Sequence, residues 1–208
     1  MFGRIFKWSG GGASDGPPGN FRVLIIGKTG CGKTTILEKF CGAKIADAPS
    51  EKRGLHNIEK ELVAVNNKGF IAHDSRGFEA GTDAEFKRVT SFLKKRETMT
   101  DLLQKIHIIW YCIQADCRPI QQAEIKFFAK RFIPVVVIVT KFDCLVQDYM
   151  PDDEDVSGPD PYEEATDKAT ENFHEYYEKP LKAMPEPPDF VIKLSKGSFR
   201  FNRMFNPY

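Results

Sequence analysis

The residues Gly27-Lys28-Thr29-Gly30-Cys31-Gly32-Lys33-Thr34 have the types and spacing of a loop that holds phosphate, G-x-x-x-x-G-K-[ST]. Successive backbone N–H groups must turn inward onto phosphate oxygens, and glycine permits that close approach. A helix that starts at the loop adds free N–H groups and the positive end of its dipole. Lys33 can reach the outer phosphates, and the Thr34 hydroxyl, followed by Thr35, offers a hard oxygen ligand to Mg²⁺.

Two further constellations extend this chemistry. Asp74-Ser75-Arg76-Gly77 reads D-x-x-G. A carboxylate at Asp74 can hold Mg²⁺ through a water, and the Gly77 N–H can meet a terminal phosphate, so the loop would report whether that phosphate is present. Thr140-Lys141-Phe142-Asp143 reads T-K-x-D. The Asp143 carboxylate can accept from guanine N1–H and the exocyclic N2 amine together. Adenine has no such donor pair, so the expected ligand is a guanine nucleotide, with the Lys141 stem packed along the base.

A phosphate loop needs a strand before it and a helix after it, and both are legible. Phe21 to Ile26 is a short apolar, β-branched run. Ile36, Leu37, Phe40 and Cys41 recur at helical spacing, with Gly42 as a stop. Ile58 to Val65 reads as a strand, Asn66-Asn67-Lys68-Gly69 as a hairpin turn and Phe70 to Asp74 as the returning strand. The spacing predicts a helix over 83–105. Phe86, Val89 and Leu93 lie on one face, resumed by Leu102, Leu103 and Ile106 after a break near Thr98–Thr100.

The pattern continues to the end of the chain. His107 to Ile113 is a near-continuous apolar strand. Pro119 starts a helix with Ile120, Ala123, Phe127, Phe128 and Phe132 on its buried stripe, and Pro134 to Val139 is the clearest strand. A helix over 162–183 runs through Phe173, Tyr176, Tyr177 and Leu181, before a last strand at Phe190–Ile192. The alternation implies a three-layer α/β domain. Its sheet is mostly parallel with one antiparallel strand and has helices on both faces. All three motifs then fall at carboxyl ends of strands, where such sheets bind ligands. By strand alternation His73 points away from Asp74, so His73 and the strand-opening His107 are packing residues.

The 208 residues suit one domain with a full core. We divide them into a flexible leader (1–20), the binding domain (21–199) with an acidic insertion around 147–164, and a short tail (200–208). Residues 148–164 hold eight acids, three prolines and no Lys or Arg, the composition of a solvated spacer. A net charge of +1 gives no reason to expect nucleic acid. No apolar run reaches the ~20 residues of a membrane span, and Met1 to Trp8 is too short for a secretory signal. Phe2, Ile5, Phe6 and Trp8 could graze a membrane surface; a disordered leader is the plainer reading. The five cysteines lack zinc spacing and read as reduced, cytoplasmic thiols.

The order Gly27–Thr34, Asp74–Gly77, Thr140–Asp143, with an early antiparallel hairpin, resembles the P-loop GTPase G domain of the Ras-like and Era-like translation-factor class over roughly residues 21–197. The G-K-T-G-x-G-K form of the loop is similar to those of septin-related, immunity-associated and chloroplast-import-receptor GTPases. The resemblance implies GTP and GDP as ligands and Mg²⁺ held by Thr34, Ser50 and Asp74. It also implies slow hydrolysis involving Lys33, Thr34, Ser50 and Gly77, with switch loops at 43–57 and 75–82. Ser50 is placed there because it is the only hydroxyl side chain between Thr35 and Ser75. Ser195-Lys196-Gly197 would be the last base-contacting loop, with Lys196 where the family usually has alanine. A protein effector or activating partner, or a homodimer through the nucleotide face, is implied as well.

The sequence also departs from that pattern. Phe78 stands where Ras-like enzymes carry a glutamine that orients water. Arg53 and Arg76, in the two switch loops, are candidate charge stabilisers, and surface arginines otherwise. A non-hydrolysing, nucleotide-dependent interaction module is the rival from another class. Lys28 also resembles the first lysine of MinD-like ATPases, against which T-K-x-D argues. Residues 199–208 are too short for the C-terminal helix that usually covers one sheet face, so truncation or another cover is expected.

Overall fold

The structure, a computed structural model, describes residues 20–41, 57–64, 67–75, 83–116, 125, 127–128, 133–151 and 160–195. Phe21–Gly27, apolar from Val23 to Ile26, forms β1, at the middle of a six-stranded sheet. A strand covered on both faces needs apolar residues on both, and Val23, Leu24, Ile25 and Ile26 are all fully buried. The sheet order is β2 (Leu62–Ala64), β3 (Asn67–Asp74), β1, β4 (Ile108–Gln114), β5 (Val135–Thr140), β6 (Phe190–Lys193). Only β2 is antiparallel, paired with β3; the other pairings are parallel.

Alternate side chains of the central strands feed two cores. Leu24, Ile26, Ile109, Tyr111, Val135, Val137 and Val139 face one side. They meet α2 (Asp83–Glu97), the helical pair Phe127–Phe128, α3 (Phe142–Gln147) and α4 (Pro161–Phe173). Val23, Ile25, Trp110, Cys112, Val136 and Ile138 face the other side, under α1 (Lys33–Cys41). Phe40 of α1 lies on Phe70 and Trp110 with ring centroids 4.4 and 5.1 Å away. Among the described residues, no helix is long and apolar enough to cross a membrane.

Several elements differ from expectation. The first hairpin arm is only Leu62–Ala64, because Ile58 sits in a turn, where it is buried in the core. Asn67, Lys68 and Gly69 belong to β3, not to a turn: Ala64 pairs with Asn67 across a register shift. The predicted 83–105 helix stops at Glu97, and a 3₁₀ turn, Leu102–Gln104, follows. The expected break is there, but Leu102 and Leu103 are exposed and only Ile106 rejoins the core. The acidic stretch ends earlier than its composition implies. Asp160 caps α4 by accepting from the Tyr162 N–H at 3.0 Å. Glu163 and Glu164 then sit in the first helical turn, where negative charge complements the dipole.

The helix predicted to 183 is interrupted by a wide π turn at His174–Glu178, then continues as α5 (Lys179–Lys182). Pro180 supplies the reason: it has no N–H, and its ring would strike the Tyr176 carbonyl in a regular helix. The wide turn buries Tyr177 with Phe173 and Leu181 and leaves only Tyr176 of the expected stripe exposed. Residues 1–19, 42–56, 76–82, 152–159 and 196–208, including the leader, both switch centres and the tail, lie outside the described residues.

At the amino end of β1, Arg22 is 1% exposed and joins four segments. Its guanidinium donates to Glu61 (2.6 Å), the Leu103 carbonyl (2.6 Å) and Gln104 (3.3 Å). It also faces His73 Nε2 at 3.3 Å. His73, fully buried, meets the Ile58 carbonyl through Nδ1 at 2.9 Å. The Arg22 N–H donates to His107 Nδ1 at 2.9 Å. Both histidines are therefore packing residues, His73 within β3 and His107 just before the next strand rather than opening it, and burial lowers the pKa of each.

Candidate functional site

Among the described residues, each of the three motifs starts at the carboxyl end of a strand, at Gly27, Asp74 and Thr140. β1 ends at Gly27, whose φ of +149° is one that residues with a side chain rarely adopt. A Cβ there would stand 2.3 Å from the Cys112 carbonyl oxygen and 2.8 Å from Cys31 Sγ, so only glycine fits. Gly30 and Gly32 take φ +80° and +87°, turning the chain into α1, which begins at Lys33. Lys28 is half-buried, Thr29 and Gly30 are exposed, Thr34 is half-buried and Thr35 exposed. The Lys33 ammonium lies along the loop and donates to the Gly27 and Lys28 carbonyls at 2.8 and 2.9 Å.

Parallel pairing of β1 with β3 places Ile25 opposite Asp74, and the Ser75 N–H continues the ladder to the Ile25 carbonyl at 3.0 Å. Asp74 therefore ends its strand beside the phosphate loop. The Ser75 hydroxyl is 3% exposed and has no hydrogen-bond partner among the described residues. A buried polar atom of that kind fits a bound water or ion shell next to Asp74.

The T-K-x-D segment is tied to the same loop. Thr140 Oγ1 donates to the Cys31 carbonyl at 2.8 Å. Lys141 takes φ 58°, the left-handed region, and this bend starts α3 with Asp143 in its first turn. Lys141 Nζ donates to Gln114 Oε1 at 3.0 Å. The Phe142 N–H donates to the Leu194 carbonyl at 3.0 Å, drawing in the segment that carries Ser195.

Thus Gly27 to Thr35, Asp74, Thr140, Lys141, Asp143 and Ser195 share one edge of the sheet. Ser50, Gly77 and Lys196 lie outside the described residues. Sequence reasoning missed Gln114, which bridges to Lys141. A polar residue ending an apolar strand was the available signal. It also missed Tyr177, whose hydroxyl accepts from the Asp116 N–H at 2.9 Å and faces the Gln114 carbonyl at 3.4 Å. No pattern marked that contact, because it depends on the π turn.

Inward-turning glycines, a helix start, a lysine and a strand-end carboxylate make this a P-loop nucleotide-binding domain of the α/β type. Its oxygen donor set, one hydroxyl and one carboxylate, suits Mg²⁺, which takes few protein ligands and completes its shell with phosphate and water. The sequence model of the 50S ribosome-binding GTPase family matches residues 22–141, more than half of the chain. The chain belongs to that GTPase family.

Among curated proteins it is similar to GTPase Era of Geotalea daltonii, 26% identical over 136 residues. It is also 25% identical over 140 residues to GTPase Era of Geobacter metallireducens. These matches cover 61% and 62% of this chain but 41% and 42% of the relatives, so the chain spans about two fifths of their length. Solved structures of Toc33 from Arabidopsis thaliana are also similar in shape. A dimerization-deficient mutant matches at 16% identity and TM-score 0.47, covering 86% of this chain and 72% of that one. A form in complex with GDP and Mg²⁺ matches at 14% identity and TM-score 0.48, covering 88% and 73%.

Proposed function

We propose that this chain binds GDP and GTP together with Mg²⁺ and hydrolyses GTP slowly to GDP and phosphate. Residues 43–57 and 75–82 would rearrange with the terminal phosphate. The observation that supports this most is the hydrogen bond from Thr140 to the Cys31 carbonyl. It joins a phosphate-type loop and a guanine-type carboxylate motif into one site. In this reading the N–H groups of residues 27–35 cradle phosphate. Lys33 exchanges its two loop carbonyls for phosphate oxygens, and Asp143 accepts from the guanine edge with Lys141 along the base. Ser195 and Lys196 close the base pocket. Thr34, Asp74 and Ser50 would hold Mg²⁺, which when bound neutralises charge on the phosphate oxygens. Gly77 would donate to the terminal phosphate.

Phe78 has no group to orient a water. Slow turnover follows, and a protein partner or a second copy of the chain would supply the missing group. Phe78 also favours a second reading, a nucleotide-dependent interaction module without hydrolysis.

Titration calorimetry with GDP, GTP and ATP, with and without Mg²⁺, tests the site on wild type and Asp143→Ala. Guanine preference lost in Asp143→Ala is expected; preference for ATP would overturn the assignment. Turnover above a Lys33→Ala control separates enzyme from module. Specific activity that rises with protein concentration would mark a second copy as the activator.

A further inference from the structure

Cys31 and Cys112 are both 1% exposed, on one side of the sheet and in one core cluster. Parallel pairing sets Cys112 opposite Gly27, and Cys31 Sγ sits over Gly27, 2.8 Å from where a Cβ would stand. The Cys112 carbonyl oxygen lies 2.3 Å from that same Cβ position, so the Cys31 sulfur packs against the backbone of Cys112, and both cysteines are free. Nothing in nucleotide binding by this loop requires a thiol at either position. The Cys31 backbone, through its carbonyl, accepts the Thr140 hydrogen bond that joins the two halves of the site.

We propose that Cys31 and Cys112 are a reversible oxidation site, whose disulfide pulls the phosphate loop toward β4 and disables nucleotide binding. The oxidant is a peroxide. The Cys31 thiolate attacks one peroxide oxygen, the O–O bond breaks and hydroxide leaves, giving a sulfenic acid. The Cys112 sulfur then displaces that oxygen as water while the S–S bond forms. Two thiols and one hydrogen peroxide give one disulfide and two waters.

The roles are divided by environment. The hydrogen bond from Cys112 and then the Lys33 ammonium, working against burial, bring the Cys31 thiol down to about 7, so thiolate is present at neutral pH. Complete burial raises the Cys112 pKa and keeps it a neutral thiol poised to resolve the sulfenic acid. Cys31 belongs to the phosphate loop and Cys112 to β4, so an S–S bond of about 2.05 Å would tie the loop to that strand. The effect on nucleotide rests on the function proposed above; the disulfide itself does not.

The test treats the full reduced chain with hydrogen peroxide, maps peptides under non-reducing conditions and titrates fluorescent GDP before and after dithiothreitol. A peptide linking Cys31 to Cys112 is expected, with GDP binding weakened about tenfold or more and restored by the reductant. In Cys112→Ala the link is absent and dimedone labels a sulfenic acid at Cys31. No such peptide in wild type, Cys31 linked to another cysteine, or a formed link with unchanged GDP binding would overturn the proposal. Reduced wild type that binds no GDP overturns the nucleotide reading instead, and the mapped peptide still decides the disulfide.

Discussion

The Thr140 hydroxyl donates to the Cys31 carbonyl at 2.8 Å, across 109 residues of sequence. β5 and the phosphate loop are thereby held in one geometry by a bond within the protein itself. A site assembled in advance loses less entropy on binding, because the groups that must be ordered already are.

Thr140→Val keeps the shape and removes the donor, leaving a buried carbonyl without its partner. GDP affinity should fall about tenfold, in keeping with ~1–2 kcal/mol for such a loss. In a double-mutant cycle with Asp143→Ala the two losses should not add, because both act on one positioned segment. Additive losses in calorimetry would show that the two motifs act independently.

Gly27→Ala would put a Cβ 2.3 Å from a backbone oxygen at φ +149°. Neither the strand nor the loop can move aside, since Gly27 pairs with Cys112 in the ladder. A loss of about 3 kcal/mol or more in urea unfolding is expected, from strain at a special backbone position. Stability within about 0.5 kcal/mol of wild type would contradict the crowding.

Arg22→Met removes the buried cation and its hydrogen bonds to Glu61 and the Leu103 carbonyl, while Gln104 keeps Arg96 as a donor at 3.1 Å. The Glu61 side chain is 39% exposed and can turn to water, so the loss is that of charge-assisted hydrogen bonds, about 1.5–3 kcal/mol in urea unfolding. GDP affinity measured below the unfolding range should stay close to wild type, because Arg22 lies at the opposite end of β1 from Gly27. A large drop in affinity with intact stability would place Arg22 in the binding machinery.

The histidines set the pH dependence of stability. Burial lowers the pKa of His73, which also faces Arg22, Arg96 and Glu61, and burial lowers that of His107. The unfolded chain therefore takes up these protons at higher pH than the folded one. Their stabilising contribution is complete above the ordinary histidine value of about 6.5 and is lost as pH falls below it. Denaturant midpoints should decline between about pH 7 and 5, and less steeply in His73→Gln. An unchanged slope in that variant would exclude His73.

The sequence alone determined the strand–loop–helix unit, because a phosphate loop demands glycine, lysine and hydroxyl at set spacing inside one local segment. It determined the carboxylate motifs and the parallel alternation, since buried parallel strands read as apolar runs. It did not determine the π turn, the register of the hairpin or the Arg22 knot. Arg22 looks like a surface residue until β2, β3 and the Leu102–Gln104 turn surround it. Periodicity records which face of an element is apolar; it does not record which distant backbone group arrives there. The Thr140–Cys31, Lys141–Gln114 and Cys31–Cys112 contacts therefore came only from tertiary structure, where parallel register brings separated strand ends to one edge.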